Sequence, residues 1–151
     1  EVDRMFGAPE GVPAAYVLAA MSNSTPMIYS SMDVEGLKGK LSFFNHRKLD
    51  FSPELTATYK AINNAFKVSA EARGGELKNY AQNEAVVFSR ENGGKTLLVM
   101  VNPSAKAISV KTPISFTGMQ VSELISGEKT SLPVMTDIPA YGYKIYLGDT
   151  Q

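Results

Sequence analysis

Along the chain, the rhythm of apolar and polar positions changes once, near Gly74-Gly75, from helical spacing to short strand-like stretches. Before that point, Gly11-Val12-Pro13 opens a first helix, with Pro13 in a first-turn position where its missing N–H does little harm. Residues 14–21, AAYVLAAM, have no polar face, so this helix must be covered on most sides. Ser22-Asn23-Ser24 closes it. Residues 25–30, TPMIYS, form a short, largely apolar stretch between turn formers, the pattern of a strand buried on both faces. Helix, tight turn and buried strand in that order predict part of an α/β repeat.

Residues 31–52 form a long polar loop carrying Gly36, Gly39 and the pair Phe43-Phe44. A loop of that length is usually functional or mobile. Ser52-Pro53-Glu54 then marks a helix start: a capping hydroxyl, a proline at the first helical position and an acid near the positive end of the dipole. Leu55, Tyr59, Ile62 and Phe66 make one apolar stripe on a helix running to about Ser69, leaving Lys60, Asn63 and Lys67 to face water.

After Gly74-Gly75 come strands separated by turn signals. Residues 85–90 and 96–102 are joined by Glu91-Asn92-Gly93-Gly94-Lys95, in which Asn-Gly is a hairpin signal. Leu97-Leu98-Val99-Met100-Val101 is unbroken, as expected of a central strand. Strands at residues 107–111, 120–125 and 143–147 follow, with turns at Asn102-Pro103-Ser104 and Ser126-Gly127-Glu128. About six or seven short strands of this kind predict a small antiparallel sandwich with Greek-key connections. The expected fold class is α+β: two or three helices and one strand, then the sandwich, with a boundary between residues 1–73 and 74–151.

Composition narrows the chemistry. The chain of 151 residues has 44% hydrophobic and 20% charged positions, ordinary for a folded protein. Fifteen basic residues balance fifteen acidic ones, so no basic field attracts nucleic acid or an anionic membrane, and neither is expected as a partner. The longest apolar run, residues 13–21, is far short of the roughly 20 residues a membrane span needs. Without cysteine there is no disulfide, thiolate metal site or thiol nucleophile, although the compartment stays open. The chain begins at Glu1 with neither an initiator methionine nor a signal peptide, which suggests processing or truncation.

Candidate chemistry is sparse. His46, the only histidine, lies in a basic polar loop and has no second histidine to share a metal, so it reads as a solvated loop residue. Gly74-Gly75 and Gly93-Gly94 lack the frame of a phosphate-binding loop and read as a linker and a hairpin turn. Asp33, Glu35 and Asp50 share the long loop; carboxylates about 5–10 Å apart can cleave glycosidic bonds, but acids in an exposed loop are also what solvation alone produces. Phe43, Phe44, Tyr141, Tyr143 and Tyr146 could offer ring faces to a sugar, though core packing and amphipathic surface use account for the tyrosines too.

The stretch Ser24-Thr25-Pro26-Met27-Ile28-Tyr29-Ser30-Ser31-Met32-Asp33 resembles the G-T-P-L-I-Y-x-G-Q-E segment of the α-amylase superfamily, glycoside hydrolase family 13. Ser24 and Ser31 stand where that family has glycines, and Met32-Asp33 where it has Gln-Glu. Residues 14–21 look like the helix before the last strand of the family's (β/α)8 barrel. Phe43-Phe44 and Leu49-Asp50-Phe51 are similar to its aromatic and I-D-W signature, and residues 55–66 to its last barrel helix. Residues 86–90, 97–102 and 139–143 resemble the sandwich that follows the barrel, often called domain C.

The resemblance implies a retaining α-glucoside or α-glucan hydrolase whose nucleophile Asp, acid/base Glu and stabilising Asp lie on barrel strands before this chain begins. No catalytic residue is then assigned here, and the chain alone is expected to be inactive. Asp33, Glu35 and Phe43 become candidates for outer substrate contact at the barrel rim. The whole enzyme would bind α-glucan or oligosaccharide and could carry calcium on upstream ligands, leaving this chain without metal or cofactor. Uncovered barrel helices would offer a route to self-association. The alternative is a non-catalytic carbohydrate-binding or interaction module, in which loss of Tyr141 or Tyr146 weakens glucan binding.

Overall fold

The structure, a computed structural model, describes residues 9–28, 32–34 and 48–150. Among the described residues two helices, α1 (Gly11–Met21) and α2 (Pro53–Val68), precede eight strands. The strands are β1 (Leu77–Tyr80), β2 (Val86–Asn92), β3 (Lys95–Val101), β4 (Ile108–Lys111), β5 (Gln120–Glu123), β6 (Lys129–Ser131), β7 (Met135–Ile138) and β8 (Tyr143–Asp149). They form a six-stranded sheet, ordered β1-β2-β3-β8-β5-β6, and a two-stranded sheet of β4 and β7, with every pairing antiparallel. The chain leaves the large sheet after β3 and returns after β7, so β8 inserts between β3 and β5. This is the expected α+β class with a crossed-over sandwich.

The unbroken apolar run of β3 is explained by cover on both faces. Leu97, Val99 and Val101 join Phe88 and Ile145 in a core shared with Tyr16, Val17, Ala20 and Met21 of α1 and Tyr59, Ile62 and Ala65 of α2. Leu98 and Met100 point the other way, into a second core with Val87, Val110, Leu132, Ile138 and Tyr146, under the small sheet. Alternation along a strand places successive side chains on opposite faces, and here both faces are dry. The all-apolar helix α1 is thus covered within the chain by α2 and β3.

Helix α2 begins as expected, Ser52 Oγ accepting the Leu55 N–H at 3.3 Å with Pro53 at the first turn. Asn63 does more than face water: its Oδ1 accepts the hydroxyl of buried Tyr16 at 2.8 Å, and Tyr16 meets Tyr59 edge-to-face at 5.2 Å. Residues 25–28 are in no sheet, and Met27 and Ile28 are 74% and 39% exposed instead of buried. Among the described residues no strand lies alongside to cover them. The end of that expected strand, residues 29 and 30, lies outside the described residues.

Of the two glycine pairs, Gly93-Gly94 forms the hairpin turn read from the sequence, whereas Gly74-Gly75 is more than a linker. The β2–β3 turn centres on Gly93-Gly94, with φ of 60° and 75°, while Asn92 pairs with Lys95. Positive φ at both central residues is the type I′ pattern that suits the twist of a hairpin. Gly75 is no loose linker, since a Cβ there would lie 1.9 Å from the Glu91 carbonyl oxygen. The contrast is testable by urea denaturation. Gly75→Ala should cost about 2–3 kcal/mol through a backbone clash, whereas Gly94→Ala, in open space, should cost about 1–2 kcal/mol through its positive φ alone.

Candidate functional site

The strands and helices meet at two arginines. Arg90 follows Phe88 on the helix-facing side of β2 and is only 7% exposed. Its Nη1 donates to the Ser22 carbonyl at the end of α1, and its Nε to the Gly75 carbonyl at 3.0 Å. Arg73, in the 3-10 turn Ala72–Gly74, donates from Nη2 to the Phe66 carbonyl at 2.8 Å and from Nε to Ser69 Oγ at 3.2 Å. Its guanidinium also stacks 3.4 Å from the centre of the Phe66 ring. Each cation thus sits at the negative end of one helix dipole and satisfies carbonyls that the helix leaves unpaired. Burial draws both guanidinium pKa values down, and at Arg73 the neighbouring Arg90 charge adds to this.

Of the rim candidates only Asp33 is among the described residues, and it lies beside the start of α2. The Asp33 carbonyl accepts the Ser52 N–H at 2.9 Å, and Val34 and Phe51 form an isolated bridge, so the two ends of the long loop are clasped together. Thr56 Oγ1 donates to the Asp33 carboxylate at 3.4 Å, which places an anion beside the positive end of the helix. Asp50 is exposed and pairs with Lys48 at 3.2 Å, the kind of surface ion pair that contributes little. Glu35, Phe43, Phe44 and His46 lie outside the described residues. Among the described residues no three acidic, histidine or cysteine side chains gather closely enough to hold a metal ion.

The tyrosine candidates separate clearly. Tyr146 is 4% exposed within the second core, so its ring has no face to offer a sugar. Tyr143 packs against the core shared with the helices. Tyr141 is half-buried at a φ of 52°, unusual for a bulky residue, with its N–H donated to the Ser104 carbonyl at 2.9 Å. Fully buried Asn102 organises that corner: its Nδ2 donates to the Lys106 and Pro139 carbonyls at 2.7 and 2.8 Å, and its Oδ1 accepts the Ser104 N–H at 2.9 Å.

Buried Glu123 is likewise architectural. Its carboxylate accepts the N–H groups of Ser126 at 2.8 Å, Ile145 at 3.2 Å and Ile125 at 3.3 Å, closing the β5–β6 turn against β8. Sequence reasoning missed Arg90, Glu123 and the second role of Asn102. The available signal was parity: Arg90 shares a strand face with Phe88, so an inward cation needed acceptors.

The fold is similar to part of several solved amylase structures. The α-amylase of Anoxybacillus matches with a TM-score of 0.73 and 15% identity, over 93% of this chain and 32% of that one. The maltogenic amylase from S. marinus matches with a TM-score of 0.74 and 18% identity, over 98% and 21%. AmyP in complex with maltose matches with a TM-score of 0.70 and 15% identity, over 94% and 35%. The chain therefore spans no more than 35% of the length of these three structures. No curated protein matches it in sequence. Residues 78–145 match the model of the maltogenic amylase C-terminal domain. The α-amylase resemblance read from the sequence is borne out.

Two outcomes follow from the side-chain geometry. Arg90→Met should strand the Ser22 and Gly75 carbonyls and cost about 2–4 kcal/mol by chemical denaturation, and Arg90→Lys should recover little, because an ammonium lacks the guanidinium fork. Burial, and after it the Glu123 charge, raises the pKa of Tyr143 and Tyr146 above the ordinary tyrosine value. Groups raised in this way contribute stability that is complete below the unfolded-state pKa of about 10 and is lost as pH climbs through the raised values. Melting temperature should therefore fall from about pH 10 upward, and Tyr146→Phe should flatten that alkaline limb.

Proposed function

We propose that this chain is the C-terminal part of a retaining α-glucoside or α-glucan hydrolase of the α-amylase type. Residues 1–73 would supply the last helix, strand and helix of a (β/α)8 barrel, and residues 74–151 its C-terminal sandwich. The observation that carries the reading is the exposed apolar surface around the barrel-like segment. Met27 and Ile28, in a stretch in no sheet, are 74% and 39% exposed, and Phe51, bridged to Val34, is 60% exposed. Apolar side chains exposed in this way are what a missing neighbour leaves behind. The matched C-terminal domain family and the maltose seen with AmyP support the substrate class.

In this reading the nucleophile, the acid/base and the stabilising acid stand on upstream strands, and Asp33, Glu35 and Phe43 border the substrate cleft at the carboxyl-end rim. Asp33, placed by Ser52 and Thr56 at the start of α2, would contact distal sugar units and take no part in bond cleavage. The coding sequence upstream of Glu1 should contain an N-H-D motif, with an Asp and a Glu on earlier strands. Its full translation product should release α-configured maltooligosaccharides from starch, as retention requires. The 151-residue chain alone should show no turnover above buffer. Turnover by the chain alone, or an upstream sequence lacking those acids, would reject the proposal.

A further inference from the structure

On the side of the large sheet away from the helices, two open clefts of about 360 and 390 Å³ run together between the β1–β2 loop and β4. Gln82 and Lys111 line both clefts, and the Gln82 amide nitrogen donates to the Lys111 carbonyl at 2.7 Å, which ties the loop to the strand. With its nitrogen engaged in this way, the Gln82 amide oxygen is presented as a fixed acceptor. Asn83 and Glu84 add exposed donors and acceptors, and the only charges on these lining positions, Glu84 and Lys111, cancel.

The apolar wall has two parts. Tyr80 lines one cleft with its hydroxyl spent on Ser89 Oγ at 3.1 Å and its ring held edge-to-face against Phe116 at 5.8 Å. Ile114 stands beside it, 88% exposed. A pinned aromatic ring, an exposed aliphatic chain and a row of amides with both donors and acceptors suit a neutral ligand rich in hydroxyls and carrying apolar C–H faces. A charged peptide or phosphate would find no net field here.

We infer that this cleft is an auxiliary binding site for a short α-linked glucose oligosaccharide, separate from bond cleavage; the choice of α-linked glucose rests on the function proposed above. None of its lining residues is among the functional candidates read from the sequence: its ring comes from the edge strand β1 and its amides from a polar loop.

The test is a titration of the 151-residue chain with maltotriose, and in parallel with cellotriose, followed by backbone amide NMR shifts. Maltotriose should move resonances of residues 79–84 and 111–114, and cellotriose should not. Gln82→Ala, on an exposed loop, should weaken maltotriose about tenfold through one lost polar contact. Tyr80→Ala should weaken it about as much, while Tyr80→Phe keeps the ring and should bind as the parent chain does. Absence of shifts, shifts confined to other residues, unchanged affinity in Gln82→Ala, or equal binding of cellotriose would each overturn the inference. None of these results touches the upstream acids, so failure of this site and failure of the hydrolase reading are told apart.

Discussion

A sheet that is apolar on both faces must be covered on both faces, and that requirement organises this molecule. Leu97, Val99 and Val101 on one side of β3 and Leu98 and Met100 on the other are all buried. At roughly 25 cal/mol per Å² of apolar surface removed from water, two dry faces are the largest favourable term available to a chain of this size. The small β4–β7 sheet covers one face and the helices cover the other. Removing the helix layer would expose Phe88, Leu97, Val99, Val101 and Ile145 together. The two parts of the chain are therefore bound by one core, whatever their separate origins.

Hydrophobic cover is non-directional and does not by itself set how the helices lie on the sheet. The directional element comes from the two arginines at the helix ends. Two guanidinium groups, that of Arg90 close enough to lower the proton affinity of Arg73, are costly to gather in a partly dry place. Carbonyls at the ends of α1 and α2 offset that cost, because each helix terminus offers partial negative charge and unpaired acceptors. Because Arg90 also grips Gly75, the end of α1, the turn before β1 and strand β2 are tied at one point. The Gly75 contact with the Glu91 backbone, which no side chain could share, lies at the same junction.

Much of this was legible in the residues, for identifiable reasons. β3 and its neighbours announced themselves because a continuous apolar run has few other uses in a short stretch bounded by turns. The start of α2 was legible because capping is local chemistry, written in three adjacent residues. What stayed hidden depended on distance in sequence. β1, β6 and β7 are short and polar at the edges and in the small sheet, so their pairing, not their composition, makes them strands. Gly75 looked like a linker because a close backbone approach leaves no mark on the flanking sequence. Tyr146 looked available to a ligand because alternation says which face a residue takes, not whether that face is covered.

The segment of residues 25–28 carries the same lesson into function. Its apolar pattern was that of a buried strand, and the structure leaves it unpaired and exposed. Pattern and environment disagree there, and a sequence normally keeps them consistent. Such a conflict is most simply resolved by partners outside the described residues, which would turn an exposed Met27 and Ile28 into ordinary core. In the sandwich the exposed large apolar side chains, Leu77, Ile114, Val134 and Met135, sit on edge or two-stranded-sheet strands and turns and not in a run of buried-strand pattern. The exposed apolar surfaces around Met27 and around Ile114 are then different in kind. Around Met27 the surface belongs to a segment with the sequence pattern of a buried strand, whereas around Ile114 it is one wall of a polar cleft.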